Sequence, residues 1–192
     1  MSSQNNILEI ILKNHRTVFN TQSLMMLSGC GNAQKLSRSL HYYVETGRIR
    51  NPRRGIYTKD RYDEKELACS IFRPSYISLE YVLQRHGIIF QYDDTVTCVS
   101  YLNRMLSVDG IEYLFRNISR QIWCGMEGIE QQDNICMASP ERAFLDMLYL
   151  SAGNCSFDNL RPLDKKKVMA LAPLYNSKVL TKRVYNLLNL TK

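Results

Sequence analysis

Gln34, Arg38 and Tyr42 recur every fourth residue with Lys35 beside them, the spacing that lines side chains along one face of an α-helix. Amide and guanidinium groups are the ones that read base edges, Gln pairing with adenine and Arg or Lys with guanine. Gln34 and Arg38 are therefore the base-reading candidates, with Lys35 and Tyr42 flanking them and Glu45 ending the same face. Just beyond lies Arg48-Ile-Arg-Asn-Pro-Arg-Arg-Gly-Ile-Tyr57, a turn dense in arginine. Arg50, Arg53 and Arg54 in that turn suit phosphate oxygens or the minor groove, contacts that position a protein on a duplex.

These side chains need elements to present them. Ala33, Leu36, Leu40, Tyr43 and Val44 form one stripe, which predicts a helix capped by Asn32, packed inward and closed by Gly47. Ahead of it, Ile7, Leu8, Ile11 and Leu12 predict a helix over residues 5–13. Val18 and Phe19 enter the core, and Thr21 is the expected cap of a second helix that turns Leu24 and Leu27 inward before the turn Ser28-Gly-Cys-Gly31. After Gly47, residues 48–51 and 56–59 pair as strands around Pro52-Arg53-Arg54-Gly55. Helix, helix, recognition helix and basic hairpin is the order of a winged helix-turn-helix.

Charge agrees with that reading. Residues 1–60 hold nine Lys/Arg against three Asp/Glu, most of the chain's net +7. Positive charge gathered on one small segment is the footprint of a polyanion binder.

Downstream, residues 60–75 mix both signs and mark a boundary, with a short helix reaching Phe72. Ser78 is the expected cap of a helix bearing Leu79, Val82 and Leu83 and ended by Gly87. Residues 95–101, 111–118, 121–125 and 135–137 are rich in β-branched and aromatic side chains, with Val108-Asp-Gly110 and Gln132-Asp-Asn134 as turn signals. Ser139-Pro140-Glu141 opens a helix that buries Phe144, Leu145, Met147 and Leu148. Two further helices follow Asp164, broken at Ala172-Pro173, the second capped by Ser177 and carrying Leu180, Val184, Leu187 and Leu188. Lys165, Lys166 and Lys167 read as solvated surface, with phosphate contact as the alternative. The expected fold is α+β: an N-terminal winged helix-turn-helix over residues 1–60, then a mixed domain over residues 61–192 with an antiparallel sheet of about four strands and flanking helices.

Other chemistries find little support in the sequence. Cys30, Cys69, Cys98, Cys124, Cys136 and Cys155 lack metal-ligand spacing and read as packed free thiols in a reducing compartment. His15, His41 and His86 are isolated. Asp109, Glu112, Glu127, Glu130 and Asp133 are the set a magnesium nuclease would need, yet several fall in expected turns and none carries the acid-x-Lys strand pattern. No run approaches the roughly 18 apolar residues of a membrane span, and the first residues lack a secretory plan, so a cytoplasmic protein without metal, cofactor or catalytic residues is expected.

Three segments resemble the AbiEi family of antitoxins and transcriptional regulators from abortive-infection, type IV toxin-antitoxin systems of phage defence. They are Gly47 to Tyr57, Pro74-Ser-Tyr-Ile-Ser-Leu-Glu-Tyr-Val-Leu-Gln-Arg-His-Gly-Ile88 and Ala138-Ser-Pro-Glu-Arg-Ala-Phe-Leu-Asp-Met-Leu-Tyr149, in the same order and spacing over almost the whole chain. The resemblance implies a repressor that binds double-stranded DNA at its own operator. It also implies a second domain opposing a nucleotidyltransferase-like toxin, with no stable complex required. Lys35 and Arg38 match the outward face of the family's recognition helix, and Arg50, Arg53 and Arg54 match its wing. A solitary transcription factor and a DNA-processing enzyme are the alternative readings.

Overall fold

The computed structural model describes residues 6–123, 125–152 and 154–188. The chain divides into two compact units, Met1–Ile71 and Phe72–Lys192, both mixing helix and sheet.

The first unit runs α1 (Ile7–Lys13), β1 (Val18–Asn20), α2 (Thr21–Ser28), α3 (Ala33–Glu45), β2 (Arg50–Arg53), β3 (Ile56–Thr58) and α4 (Glu64–Ile71). Its three strands form an antiparallel sheet in the order β1-β3-β2. Ile7, Ile11, Phe19, Leu24, Leu36, Leu40 and Ile49 make the core, so α1, α2 and α3 each bury a stripe against the others. The expected stripes are wider than the real ones: Leu12 and Leu27 are exposed, as is Ala33 in the first turn of α3. On helices this short, one column of side chains reaches the core. Asn5, expected to begin the first helix, lies outside the described residues.

Caps decide where these helices start. Asn6 and Asn32 cap α1 and α3, accepting from Leu8 N–H and Lys35 N–H. The cap of α2 is Asn20 and not Thr21, because the extended Asn20 puts its carboxamide on Ser23 N–H and Ser23 Oγ at 2.7 Å. Thr21 is the first helical residue, and its N–H and hydroxyl both donate to Gly55 O.

Helix α4 joins the first unit through one carboxylate. Glu66 Oε2 accepts from Thr17 N–H at 2.7 Å, Thr17 Oγ1 at 3.0 Å and Val18 N–H at 2.8 Å, in a site nearly closed to solvent. Glu66→Ala orphans two backbone donors in that site, and is expected to cost about 2–3 kcal/mol. Urea unfolding followed by circular dichroism measures it, and a cost under about 0.5 kcal/mol would show that water replaces the carboxylate freely.

The second unit runs β4 (Ser75–Ile77), α5 (Glu80–Arg85), β5 (Val96–Ser100), β6 (Arg104–Val108), β7 (Ile111–Asn117), α6 (Arg120–Trp123), β8 (Ile129–Gln132), β9 (Ile135–Ala138), α7 (Pro140–Leu150), α8 (Lys165–Leu171), a 3-10 turn (Ala172–Tyr175) and α9 (Lys178–Leu187). Its sheet has six strands in the order β6-β7-β5-β4-β9-β8, more than the four expected. Nor is it wholly antiparallel: β5 pairs with β7, and β4 with β9, in parallel. The β6–β7 hairpin inserts β7 against β5, which forces the parallel pair. At its tip Asp109 and Gly110 both take positive φ, 53° and 83°, as a two-residue hairpin turn of the twisted kind requires.

Two other expectations change here. Of residues 121–125, expected as a strand, 121–123 instead belong to the one-turn helix α6, whose Ile122 is buried; Cys124 lies outside the described residues. Ser78 does not cap α5. Thr97 Oγ1 from β5 takes that role, accepting Tyr81 N–H at 2.9 Å and donating to Ser78 O at 2.6 Å.

Ser78 is thereby released to a buried polar network. Asp146 Oδ2 accepts from Ser78 Oγ at 2.8 Å and Tyr76 Oη at 3.0 Å, and its Oδ1 accepts from Tyr175 Oη at 2.6 Å. Arg142, one helical turn earlier on α7, lies 3.5 Å from Asp146 through Nε and donates to Ile122 O, Glu127 O and Tyr76 Oη. Both charged side chains are fully buried. Burial pushes the Asp146 carboxyl up from its ordinary value, opposed by Arg142 and the three hydroxyls. Burial, then the neighbouring carboxylate, pushes the Tyr76 and Tyr175 hydroxyls up as well, so both stay protonated donors.

Candidate nucleic-acid interface

Helix α3 exposes Gln34, Lys35, Arg38, Tyr42 and Glu45 while Leu36 and Leu40 on its other side are buried. The division follows from the apolar stripe: once Leu36 and Leu40 enter the core, residues 34, 38 and 42 must point away. The helix is held at both ends. Asn32 closes its start, and at its end Arg48 N–H and Ile49 N–H return to Tyr43 O, with Gly47 at φ 66° allowing the reversal. Tyr43 Oη donates to Asn6 Oδ1 at 2.8 Å, tying α3 to the start of α1, and Tyr42 packs edge-on against Tyr43. His41 and Glu45 pair on the exposed side at 3.1 Å.

That return to Tyr43 also shifts the hairpin. Strand β2 begins at Arg50, two residues later than expected, and Pro52 and Arg53 belong to it, leaving a two-residue turn of Arg54 and Gly55. A proline is tolerated because β2 is an edge strand, and the register slips between Arg50 and Arg53 around it. Asn51 Nδ2 donates to Arg53 O at 2.9 Å and Ile56 O at 2.6 Å, stapling the turn from inside. Gly55, at φ 78°, presents the carbonyl that Thr21 grips, so the tip is anchored to α2.

The three arginines are not equivalent. Arg54 is exposed in the turn itself. Arg50 is exposed on β2, with its guanidinium 5.9 Å from the centre of the Tyr62 ring, a cation–π contact that orients it. Arg53 is half-buried. Sequence reasoning missed Asn51 and Tyr62 as supports of this surface and gave Thr21 another role, as a helix cap. Asn51 carried a signal, as a turn-favouring residue inside an expected strand.

The chemistries weighed against nucleic-acid binding are dispersed. Asp109 and Asp133 sit in hairpin turns, Glu112 and Glu130 on the exposed faces of β7 and β8, and Glu127 in the loop before β8. Among the described residues no group of three or more His, Cys, Asp or Glu side chains is placed to hold a metal. Cys30, Cys69, Cys98, Cys136 and Cys155 are free thiols. No helix of the described residues is long and apolar enough to cross a membrane. No protein-family model matches the chain, and no curated protein matches it.

Proposed function

We propose that the chain is a sequence-specific repressor whose first unit is a winged helix-turn-helix, α3 reading the major groove and the β2–β3 hairpin serving as the wing. One observation carries the reading: a helix with one face built into the core displays Gln34, Lys35, Arg38 and Tyr42 on the other, and an anchored arginine hairpin follows it directly. Rigid support of that kind is what a base-reading surface requires, since its side chains must meet base edges in fixed register. The work is binding, in the cytoplasm, with no metal or cofactor.

For the second unit we propose antitoxin action in an AbiE-like pair, supported by the resemblance of residues 74–88 and 138–149. Those two segments supply Tyr76, Ser78, Arg142 and Asp146, which meet in the buried network. All four are buried, so a surface that opposes a toxin would be made by other, exposed residues of the unit.

Fluorescence anisotropy of the full chain on its own upstream DNA and on a scrambled duplex, at two salt concentrations, tests the first part. A tight, salt-sensitive preference for the upstream DNA is expected, and absence of binding to both duplexes overturns it. Co-expression with a nucleotidyltransferase-like toxin encoded beside it tests the second. DNA binding without growth rescue would identify a solitary regulator.

A further inference from the structure

The net charge outside residues 1–60 hides a sharper division. Residues 61–160 carry eight basic and fourteen acidic side chains, and residues 161–192 carry eight basic and one acidic. A positive segment thus closes the second unit as another opens the first, with a negative stretch between them.

The α8–α9 region displays that charge outward. Asp164, the single acid of the segment, is occupied as the cap of α8, accepting from Lys166 N–H and Lys167 N–H, while its own N–H donates to Glu141 Oε1, a buried carboxylate of α7. Lys165 Nζ reaches Leu188 O at 2.8 Å, which lays the start of α8 beside the end of α9. Lys166 and Lys167 remain exposed there. Toward the other end of α9, Lys178 and Lys182 are exposed one turn apart and line a cleft of ≈ 480 Å³ with Asn176, Ser177, Thr181 and Tyr185. Lysines thus stand at both ends of a helix about 15 Å long. Laid along the axis of a duplex, that length corresponds to the axial rise of about four phosphates of one strand.

We propose that this α8–α9 surface is a second contact for duplex DNA, gripping the phosphate backbone through Lys166, Lys167, Lys178 and Lys182. The proposal rests on the DNA-binding reading of the first unit and adds a sequence-independent contact to it. Hydroxyl and amide groups in the cleft suit phosphate oxygens, to which most protein–DNA hydrogen bonds go. An anionic lipid surface fits less well: Leu180, Val184 and Leu188, three of the four residues in the stripe an interfacial helix would sink into lipid, are buried in the protein. Of the apolar side chains on α9 only Val179 and Leu187, the fourth residue expected in that stripe, are exposed.

The test compares three full-length proteins on the labelled upstream duplex and on a scrambled duplex, from about 50 to 200 mM salt. They are the wild type, the variant Lys166→Gln/Lys167→Gln/Lys178→Gln/Lys182→Gln, and the variant Arg53→Ala/Arg54→Ala. Thermal melting confirms that each is folded; all the altered lysines are exposed. Each phosphate contact contributes about 0.9 to the slope of log K against log salt, so the lysine variant should flatten it by about two to four, equally on both duplexes. An unchanged slope in the lysine variant, with weakened binding in the arginine variant, overturns the second contact and leaves the first unit's reading standing. A slope lost in the lysine variant and kept in the arginine variant supports the α8–α9 contact and removes the wing. Wild type that binds neither duplex overturns both. Lysine-dependent capture by phosphatidylserine vesicles with an unchanged DNA slope reassigns the surface to lipid and overturns the proposal.

Discussion

Asp146→Ala should remove about 3–5 kcal/mol from the stability of the second unit, because it leaves the Arg142 guanidinium buried without its counter-charge. Since a domain is held by only about 5–15 kcal/mol in all, that loss is a large fraction of the whole. Arg142→Met should cost a similar amount for the converse reason, stranding the carboxylate and also orphaning Ile122 O and Glu127 O. The double variant Arg142→Met/Asp146→Ala closes a cycle with the two single variants. Removing both charges relieves the uncompensated ion, so it should be less destabilised than the two single variants added together. Full recovery is not expected, since Tyr76, Ser78 and Tyr175 lose their shared acceptor. Urea unfolding of the full chain gives the four free energies of the cycle. Strict additivity would mean that Arg142 and Asp146 act independently and that the network is not one unit.

Little of that network was legible in the sequence. Arg142 and Asp146 stand four residues apart on a helix, a spacing met far more often in exposed ion pairs than in buried ones. What buries them is tertiary: α7 packs against α5, α8 and β9 together, so residues on several of its sides are enclosed. Ser139 and Pro140, whose effects are local, marked the start of the same helix correctly. Asn32 and Ser177 did so for α3 and α9, since a cap needs only its own first turn to work.

Strands divided the same way. Val96–Ser100 and Ile111–Asn117, long and rich in β-branched and aromatic residues, were readable from their own side chains. Ser75–Ile77 and Ile129–Gln132 were not, being three and four residues long and held as strands by their neighbours in the sheet. Residues 121–123 show the converse, part of a β-like run drawn into a helical turn where Ile122 O receives Arg142. On the candidate interface, the exposed set on α3 was legible because a single stripe determines it. The inequality of Arg50, Arg53 and Arg54 was not, because it depends on where the hairpin starts, and hydrogen bonds to Tyr43 O decide that.

Arg38→Ala and Arg53→Ala/Arg54→Ala should fail in different ways, and the difference is the sharpest test of how the first unit works. Arg38 stands on the exposed face of α3; if it reads one base, as proposed, its loss should cost about 1–3 kcal/mol on the upstream DNA and little on scrambled DNA. Arg53 and Arg54 lie in and beside a turn whose carbonyl is fixed to Thr21, and as the proposed wing they would meet phosphates. Their joint loss should weaken binding to both duplexes alike and flatten the salt slope by up to about two. Arg54, exposed at the tip, should account for more of that than half-buried Arg53. Anisotropy titrations on the two duplexes at two salt concentrations yield all of these quantities. Equal losses on both duplexes for Arg38→Ala would remove it as a base reader and leave α3 as a backbone clamp. A sequence-selective loss for the arginine pair would instead put the hairpin in a groove.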